Sequence, residues 1–216
     1  MSLHGTAAHL ALAGPARSSG AELPPLVRRA LAAAEAHGFD HSCRPEQGLL
    51  IRTLAQGAAG RIGESGTGCG VGLAWLATGA PPGVQLVSVE RDPARAAVAA
   101  AVFADQPQVT VVHGDWTELH RHGPFDLLVL DGGGQGKNGG AAADPVRLLN
   151  PGGTVVVDDF TPATGWPPLH EGRPDTARLH WLEHPALRAA ELRLAADLSS
   201  VVGTRRHDAP GPAAGA

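Results

Sequence analysis

The sequence predicts an α/β fold: a doubly wound, mostly parallel sheet of seven strands, with covering helices ahead of the first strand. Three observations carry this. Short apolar runs recur around Ile62 and at Gln85–Glu90, Val109–Val112, Phe125–Leu130 and Thr154–Val157. Continuous apolar strands of this kind belong to parallel sheets buried on both faces. Helical stretches separate them. The first run leads directly into Glu64-Ser65-Gly66-Thr67-Gly68-Cys69-Gly70-Val71-Gly72, a glycine turn between a strand and a helix.

Leu26–His37 reads as a helix, with Pro24 and Pro25 suiting its first turn and Gly38 its end. A second helix runs from Pro45 to Ala55. After the glycine turn comes an apolar, Ala-rich helical run, Leu73–Ala77, and Pro81-Pro82-Gly83 breaks the chain before the next strand. Asp92 as N-cap and Pro93 at the first position open a helix over Ala94–Ala104. The third strand ends at His113-Gly114-Asp115 and the fourth at Asp131. A helix closing at Leu148-Leu149 precedes the fifth strand, which ends at Asp158-Asp159. Phe160–His170 is too rich in proline for a helix. Asp175–His184 reads as a helix, and Leu192–Leu198 with Ser200–Thr204 as a closing pair of strands.

The 216 residues suit one domain, placed at 23–207, between a loose tail over 1–22 and an Ala/Gly/Pro tail over 208–216. Hydrophobic content of 43% and charged content of 18% are an ordinary globular balance. A formal net charge of −4 gives no electrostatic footprint for nucleic acid. Cys43 and Cys69 lack metal-type spacing and cannot make a framework of bridges, which fits a reduced, cytoplasmic setting. No run approaches the length of a membrane span, and only His4 precedes the short apolar patch at 7–13, so no signal peptide is expected. The oligomeric state is open, a homodimer included.

In the glycine turn, the absence of Cβ permits positive φ and lets a ligand approach the backbone. The following helix start is expected to aim free N–H groups and its positive dipole end at that ligand. A dinucleotide fingerprint would need glycine where Val71 stands. The pattern is instead acid-x-Gly-x-Gly-x-Gly, beginning at Glu64. A tight turn with no ligand is the plain alternative, yet each glycine lowers stability unless its conformation is used.

Ligands of open α/β sheets sit beyond the carboxyl ends of the strands. Glu64, Glu90, Asp115, Asp131, Asp158 and Asp159 should all face that edge. One such acid is ordinarily a helix cap, whereas an acid at nearly every strand end makes a site. Glu90 can accept both ribose hydroxyl protons, unless it only pairs with Arg91 or caps a turn. Gly132-Gly133-Gly134-Gln135-Gly136-Lys137-Asn138 is not a Walker A loop, which would need glycine at Asp131 and Ser or Thr at Asn138.

The turn Glu64–Gly72 resembles motif I of class I S-adenosylmethionine-dependent methyltransferases. Asp131, with Leu149-Asn150-Pro151-Gly152-Gly153 leading to Val157-Asp158-Asp159, resembles the cation-dependent O-methyltransferases of the catechol and caffeoyl-CoA type; the likeness covers Pro45–Thr161. Asp131 lacks the Pro-Pro-aromatic sequel of amino-methylating enzymes. The resemblance implies a Rossmann-like methyltransferase fold, S-adenosyl-L-methionine as cofactor, and O-methylation of a small hydroxylated acceptor assisted by Mg²⁺. It implies that Glu64, Ser65, Gly66, Thr67 and Gly68 run along the methionine part of the cofactor, with Glu64 near its amino end. Glu90 and Arg91 fall at the ribose and Asp115 near the adenine amino group; Trp116 is the ring's apolar neighbour or a core residue. Pro45-Glu46-Gln47-Gly48 looks like a segment that family uses near the cofactor.

The resemblance also implies that Asp131, Asp158 and Asp159 hold the Mg²⁺, with Asp159 where the family has asparagine. A metal-bound hydroxyl loses its proton more readily, and the protein then holds that oxygen in line with the sulfonium methyl. The family's lysine base lies within a few residues of the first acid; Lys137 is the nearest candidate and sits further along. Asp131 is the second candidate at the reacting end. Trp166 is a candidate pocket wall or a loop anchor, and His170, His180 and His184 make no metal-ligand pattern. Two alternatives stay open: a metal-independent methyltransferase in which Asp131 or a histidine orients the acceptor, and a cofactor-binding module without catalysis.

Overall fold

The computed structural model describes residues 23–209; the expected tail over 1–22 and most of that over 208–216 lie outside them. Two helices come first, α1 (Pro25–Ala36) and α2 (Pro45–Ala55). Then follow β1 (Arg61–Ser65), α3 (Val71–Gly79), β2 (Gln85–Glu90), α4 (Pro93–Val102) and β3 (Val109–His113). A 3-10 turn, Trp116–Arg121, leads to β4 (Phe125–Leu130), and a short α5 (Pro145–Leu148) leads to β5 (Leu149–Phe160). A two-residue ribbon, β6 (Leu169–His170) with β7 (Arg173–Pro174), precedes α6 (Thr176–Leu182), β8 (Leu187–Arg193) and β9 (Ser199–Arg205).

The main sheet has the order β3-β2-β1-β4-β5-β9-β8. The first five strands are parallel, and β9 and β8 close the sheet antiparallel. This is the expected doubly wound, mostly parallel seven-stranded sheet. β4 shows why its strands read as unbroken apolar runs. Leu127 and Val129 pack into the core under α1–α4, while Leu128 and Leu130 pack into the core of the other face with Trp181 and Phe125. Successive side chains go to opposite faces, so a strand covered on both faces must be apolar at every position.

Local capping follows the sequence. Asp92 Oδ1 accepts from the N–H groups of Ala94 and Arg95, both at 2.9 Å, and opens α4. At the amino ends of the strands, Asp126 Oδ2 accepts from the N–H groups of Ala59, Gly60 and Arg61, and its Oδ1 accepts from Asn150 Nδ2 at 2.7 Å. That carboxylate ties the starts of β1, β4 and β5 together.

Two strands depart most from expectation. The penultimate strand is Leu187–Arg193, not 192–198, and residues 194–198 form the hairpin turn. Its Ala, Leu, Glu and Arg residues favour a helix locally, but pairing with β9 along its whole length overrides that preference. The fifth strand spans Leu149–Phe160, where it was expected to run from 154 and to end at Asp158-Asp159. Asp158 and Asp159 therefore lie in an irregularity of the ladder between Val157 and Phe160, not beyond it.

Candidate functional site

Strand order reverses between β1 and β4, which are neighbours but not consecutive. Open sheets bind their ligands at such a point. The loops leaving these two strands touch there: a Cβ on Gly66 would overlap the backbone of Gly132, and one on Gly132 would overlap Gly66. Gly66, Gly68 and Gly70 have φ of +85°, +53° and +95°, so the alternate glycines use the left-handed region.

These three glycines do not, however, offer their N–H groups to a ligand. Gly66 N–H donates to Val89 O at 2.9 Å, Gly68 N–H to Glu90 Oε2 at 2.8 Å, and Gly70 N–H to Thr67 O at 2.8 Å. These three N–H groups are taken up within the fold, the first two by β2 and the third by Thr67, whereas the free N–H groups expected of the helix start belong to α3, which Gly70 precedes. The glycines instead permit the crossing of two loops and leave a floor without side chains.

Above that floor opens a cleft of about 940 Å³. Gly66, Gly68, Glu90, Arg91, Asp115, Trp116, Asp131, Lys137, Asp158 and Asp159 line it. The far wall is Phe39–Arg44 with Gln47, from the α1–α2 connection. Only Gln47 of that wall falls in a segment singled out from the sequence; 39–44 carries no motif. Arg44 reaches Asp197, on the β8–β9 turn, at 2.9 Å and bridges the mouth.

On the β2 side, Glu90 is 5% exposed and engaged through both oxygens. Beyond Gly68, its Oε1 accepts from Asp92 N–H at 2.9 Å and pairs with Arg95 at 3.1 Å. The ion-pair partner is thus Arg95, not Arg91. Asp115 caps the 3-10 turn through Thr117, and half-buried Trp116 packs against Gly133 and Gly134 while facing the cleft. Ser65 and Thr67 turn inward. Ser65 Oγ donates to Gly133 O at 2.7 Å, and Thr67 Oγ1 shares a 2.5 Å hydrogen bond with Ser88 Oγ.

Glu64 lies beneath the cleft, in a smaller cavity that it shares with Cys43, Thr67 and Asp131. Its Oε2 accepts from Ser88 Oγ at 2.5 Å. Burial pushes its carboxyl up to about 8; the Ser88 bond opposes this, and Asp131 and Glu90 add to it. Of the strand-end acids, Glu64 alone is outside the main cleft.

On the β4–β5 side, burial and then the charges of Asp158 and Asp159 raise the Asp131 carboxyl to about 7, against the pull of Lys137. Asp158 is 4% exposed and accepts from Ser200 Oγ at 2.8 Å; burial raises its carboxyl too. Asp159 has φ +66° and an exposed side chain. Lys137 Nζ donates to the carbonyl oxygens of Asp158 and Asp159, both at 2.6 Å, and stands 4.1 Å from the Phe160 ring centroid. Burial lowers its pKa, and the surrounding acids oppose that. Gln135 Nε2 also donates to Asp158 O, at 3.1 Å. Arg178, 3% exposed, lies 4.7 Å from the same Phe160 ring and pairs with Asp175 and Glu191.

Among the described residues, no three His, Cys, Asp or Glu side chains gather as a metal-binding group. Asp131, Asp158 and Asp159 border one part of the cleft, but the positive charge at their strand ends is Lys137. In this arrangement the donor set does not fit a three-carboxylate Mg²⁺ site. Trp166 is 68% exposed and lies outside the cleft, and His170 and His180 are exposed. Sequence reasoning missed Arg95, Gln135, Phe160, Arg178 and Ser200. Of these, Arg95 and Arg178 carried a local signal, each at a spacing of three from an acid that opens its helix, Asp92 and Asp175.

Residues 64–160 match the model of a family described as a methyltransferase domain. A curated relative, catechol O-methyltransferase of Mycobacterium tuberculosis (strain ATCC 25618 / H37Rv), is 33% identical over 143 residues, which is 62% of this chain and 64% of the relative. The chain thus spans less than two thirds of that relative's length in the match. Among solved structures, cofactor-bound Rv0187 from MTB superposes with a TM-score of 0.70 at 25% identity, over 86% of this chain and 91% of that one. The O-methyltransferase TomG from Streptomyces achromogenes, involved in tomaymycin synthesis and solved in complex with SAM, gives 0.67 at 21% identity, over 86% and 91%.

Proposed function

We propose that this chain, which has the class I methyltransferase fold and matches a methyltransferase domain over residues 64–160, moves a methyl group from S-adenosyl-L-methionine to an oxygen of a small hydroxylated acceptor. One observation carries the reading. The Gly66–Gly132 crossing sits at the point where strand order reverses, with Glu90 on one side of the cleft above it and Asp131 on the other. The relative and the neighbouring structures named as O-methyltransferases support the oxygen specificity.

Cofactor recognition falls to the β2 side. Glu90 takes the ribose hydroxyls, with Arg91 beside it, and Trp116 with Asp115 takes the adenine. The side-chain-free floor at Gly66 and Gly68 runs under the methionine part, toward Glu64. When bound, the cofactor would supply an electrophilic methyl, whose bond to sulfur is exchanged for one to the acceptor oxygen. Asp131, whose carboxyl is raised to about 7, accepts the proton that the hydroxyl gives up. Lys137 places positive charge beside the oxygen as its negative charge develops. The Mg²⁺ implied by the sequence resemblance would use Asp131, Asp158 and Asp159, and their placement does not support it, so no step is routed through a metal. Two free cysteines agree with a reduced, cytoplasmic setting.

A thermal-shift series tests the cofactor: S-adenosylhomocysteine should raise the melting temperature and NAD should not. Equal stabilisation by NAD would defeat the reading. Turnover on a panel of catechol-like and simple phenolic acceptors tests the reaction. Binding of S-adenosylhomocysteine with no transfer to any acceptor would favour a non-catalytic module.

A further inference from the structure

The loop that follows Asp131 is built to send one side chain back to the sheet. Gly136 and Asn138, on either side of Lys137, have φ of +81° and +52°. Both lie in the left-handed region, which glycine and asparagine tolerate best, and so fix the turn around Lys137. Gln135 helps to hold it: its Nε2 donates to Leu130 O at 3.0 Å and to Asp158 O at 3.1 Å, and its own carbonyl accepts from Trp181 Nε1 at 2.9 Å.

The receiving strand is shaped to match. The irregularity in β5, with Asp159 at φ +66°, brings two successive carbonyl oxygens onto one atom, Lys137 Nζ, at 2.6 Å each. Backbone carbonyls and carboxylates are the ligands that hard divalent cations choose. Here an ammonium takes the carbonyls, with the face of Phe160 at 4.1 Å as a further cation-attracting surface. Asp131, Asp158 and Asp159 all act on that charge.

We propose that the Lys137 ammonium is the resident cation of this edge, holding the place a divalent metal ion would otherwise take, so that Lys137 and a divalent ion are mutually exclusive there. The proposal rests on the reading above only in taking this edge as the acceptor side. Like charges in one small site repel, so a metal could enter only by displacing the lysine from both carbonyls. The lysine's side chain is covalently tethered, which gives it a high effective concentration at the two carbonyls.

The test is Mn²⁺ binding to the protein without cofactor, followed by electron paramagnetic resonance of free Mn²⁺ and by calorimetry. Wild type should bind Mn²⁺ no better than Asp158→Asn does. Lys137→Met should gain at least tenfold in Mn²⁺ affinity, and adding Asp158→Asn should remove the gain. One Mn²⁺ bound to wild type and lost in Asp158→Asn would overturn the proposal, as would a folded Lys137→Met protein that binds Mn²⁺ no better than wild type. If Lys137→Met does not fold, Lys137→Gln replaces it, and the wild-type titration still decides. S-adenosylhomocysteine stabilisation in excess chelator is measured alongside: its loss would count against the proposed function without moving the Mn²⁺ result.

Discussion

The backbone N–H of Gly68 donates to Glu90 Oε2 at 2.8 Å, so the carboxylate proposed to take the ribose also holds the glycine turn. Glu90→Ala should therefore act twice. Cofactor affinity should fall by about 1.5–3 kcal/mol, the range for hydrogen bonds to a charged group. The melting temperature should fall as well, because Gly68 and Asp92 lose a buried acceptor and Arg95 loses the nearer of its two carboxylate partners. Calorimetry with S-adenosylhomocysteine and a melting curve separate the effects. Unchanged affinity in a folded variant would remove Glu90 from the cofactor.

Gly66→Ala should cost about 2–4 kcal/mol of stability, from a left-handed backbone and an overpacked contact together. The new methyl meets the Gly132 backbone, which has no side chain to rotate away. Denaturant titration measures it. A loss below half a kcal/mol would show that the two loops separate freely.

Glu64 governs a pH dependence of stability. Its folded carboxyl is raised to about 8 from an ordinary 4.5, so the folded chain holds that proton more tightly than the unfolded chain. The stability this contributes is complete below pH 4.5 and is lost as the pH rises through 8. Within that window the loss approaches ~1.4 kcal/mol per pH unit at its steepest. Glu64→Gln should flatten the profile and become more stable relative to wild type at the alkaline end. Parallel profiles for the two proteins in denaturant melts from pH 5 to 9, a span of about four units around that steep slope, would refute the assignment.

Arg178 neutralises two carboxylates, Asp175 at 3.1 Å and Glu191 at 3.0 Å, while only 3% of its side chain is exposed. Arg178→Met leaves both acids without their cation and should destabilise by about 3–5 kcal/mol. Arg178→Lys should recover part of this, since it restores charge without the planar fork. A Met variant as stable as wild type would mean that solvent takes over the pairing.

The sheet was legible because burial on both faces forces apolar runs, and Leu127 to Leu130 show that requirement directly. Caps were legible where one side chain serves adjacent N–H groups, as Asp92 does. The closing hairpin was misplaced because Leu187–Arg193 follows its long-range partner, not its local preference. At the candidate site, the acids could be placed at strand ends from spacing alone. What they touch could not. Ser200 and Lys137 reach the site through contacts between distant elements, and no local pattern encodes such contacts, whereas Arg95 and Arg178 each sit three residues after an acid, Asp92 and Asp175.

Trp116, with one side against Gly133 and Gly134 and the other on the cleft, makes the protein its own optical probe. Of the other three indoles, Trp75 and Trp181 are shielded in the cores, and Trp166 is open to water. Their emission should separate into blue light from the shielded pair and redder, iodide-quenchable light from Trp166. An adenine ring settling on Trp116 should dim a third component and leave those two unchanged. Titrating that dimming would follow ligand occupancy in unlabelled protein, in wild type and in every variant that keeps the fold.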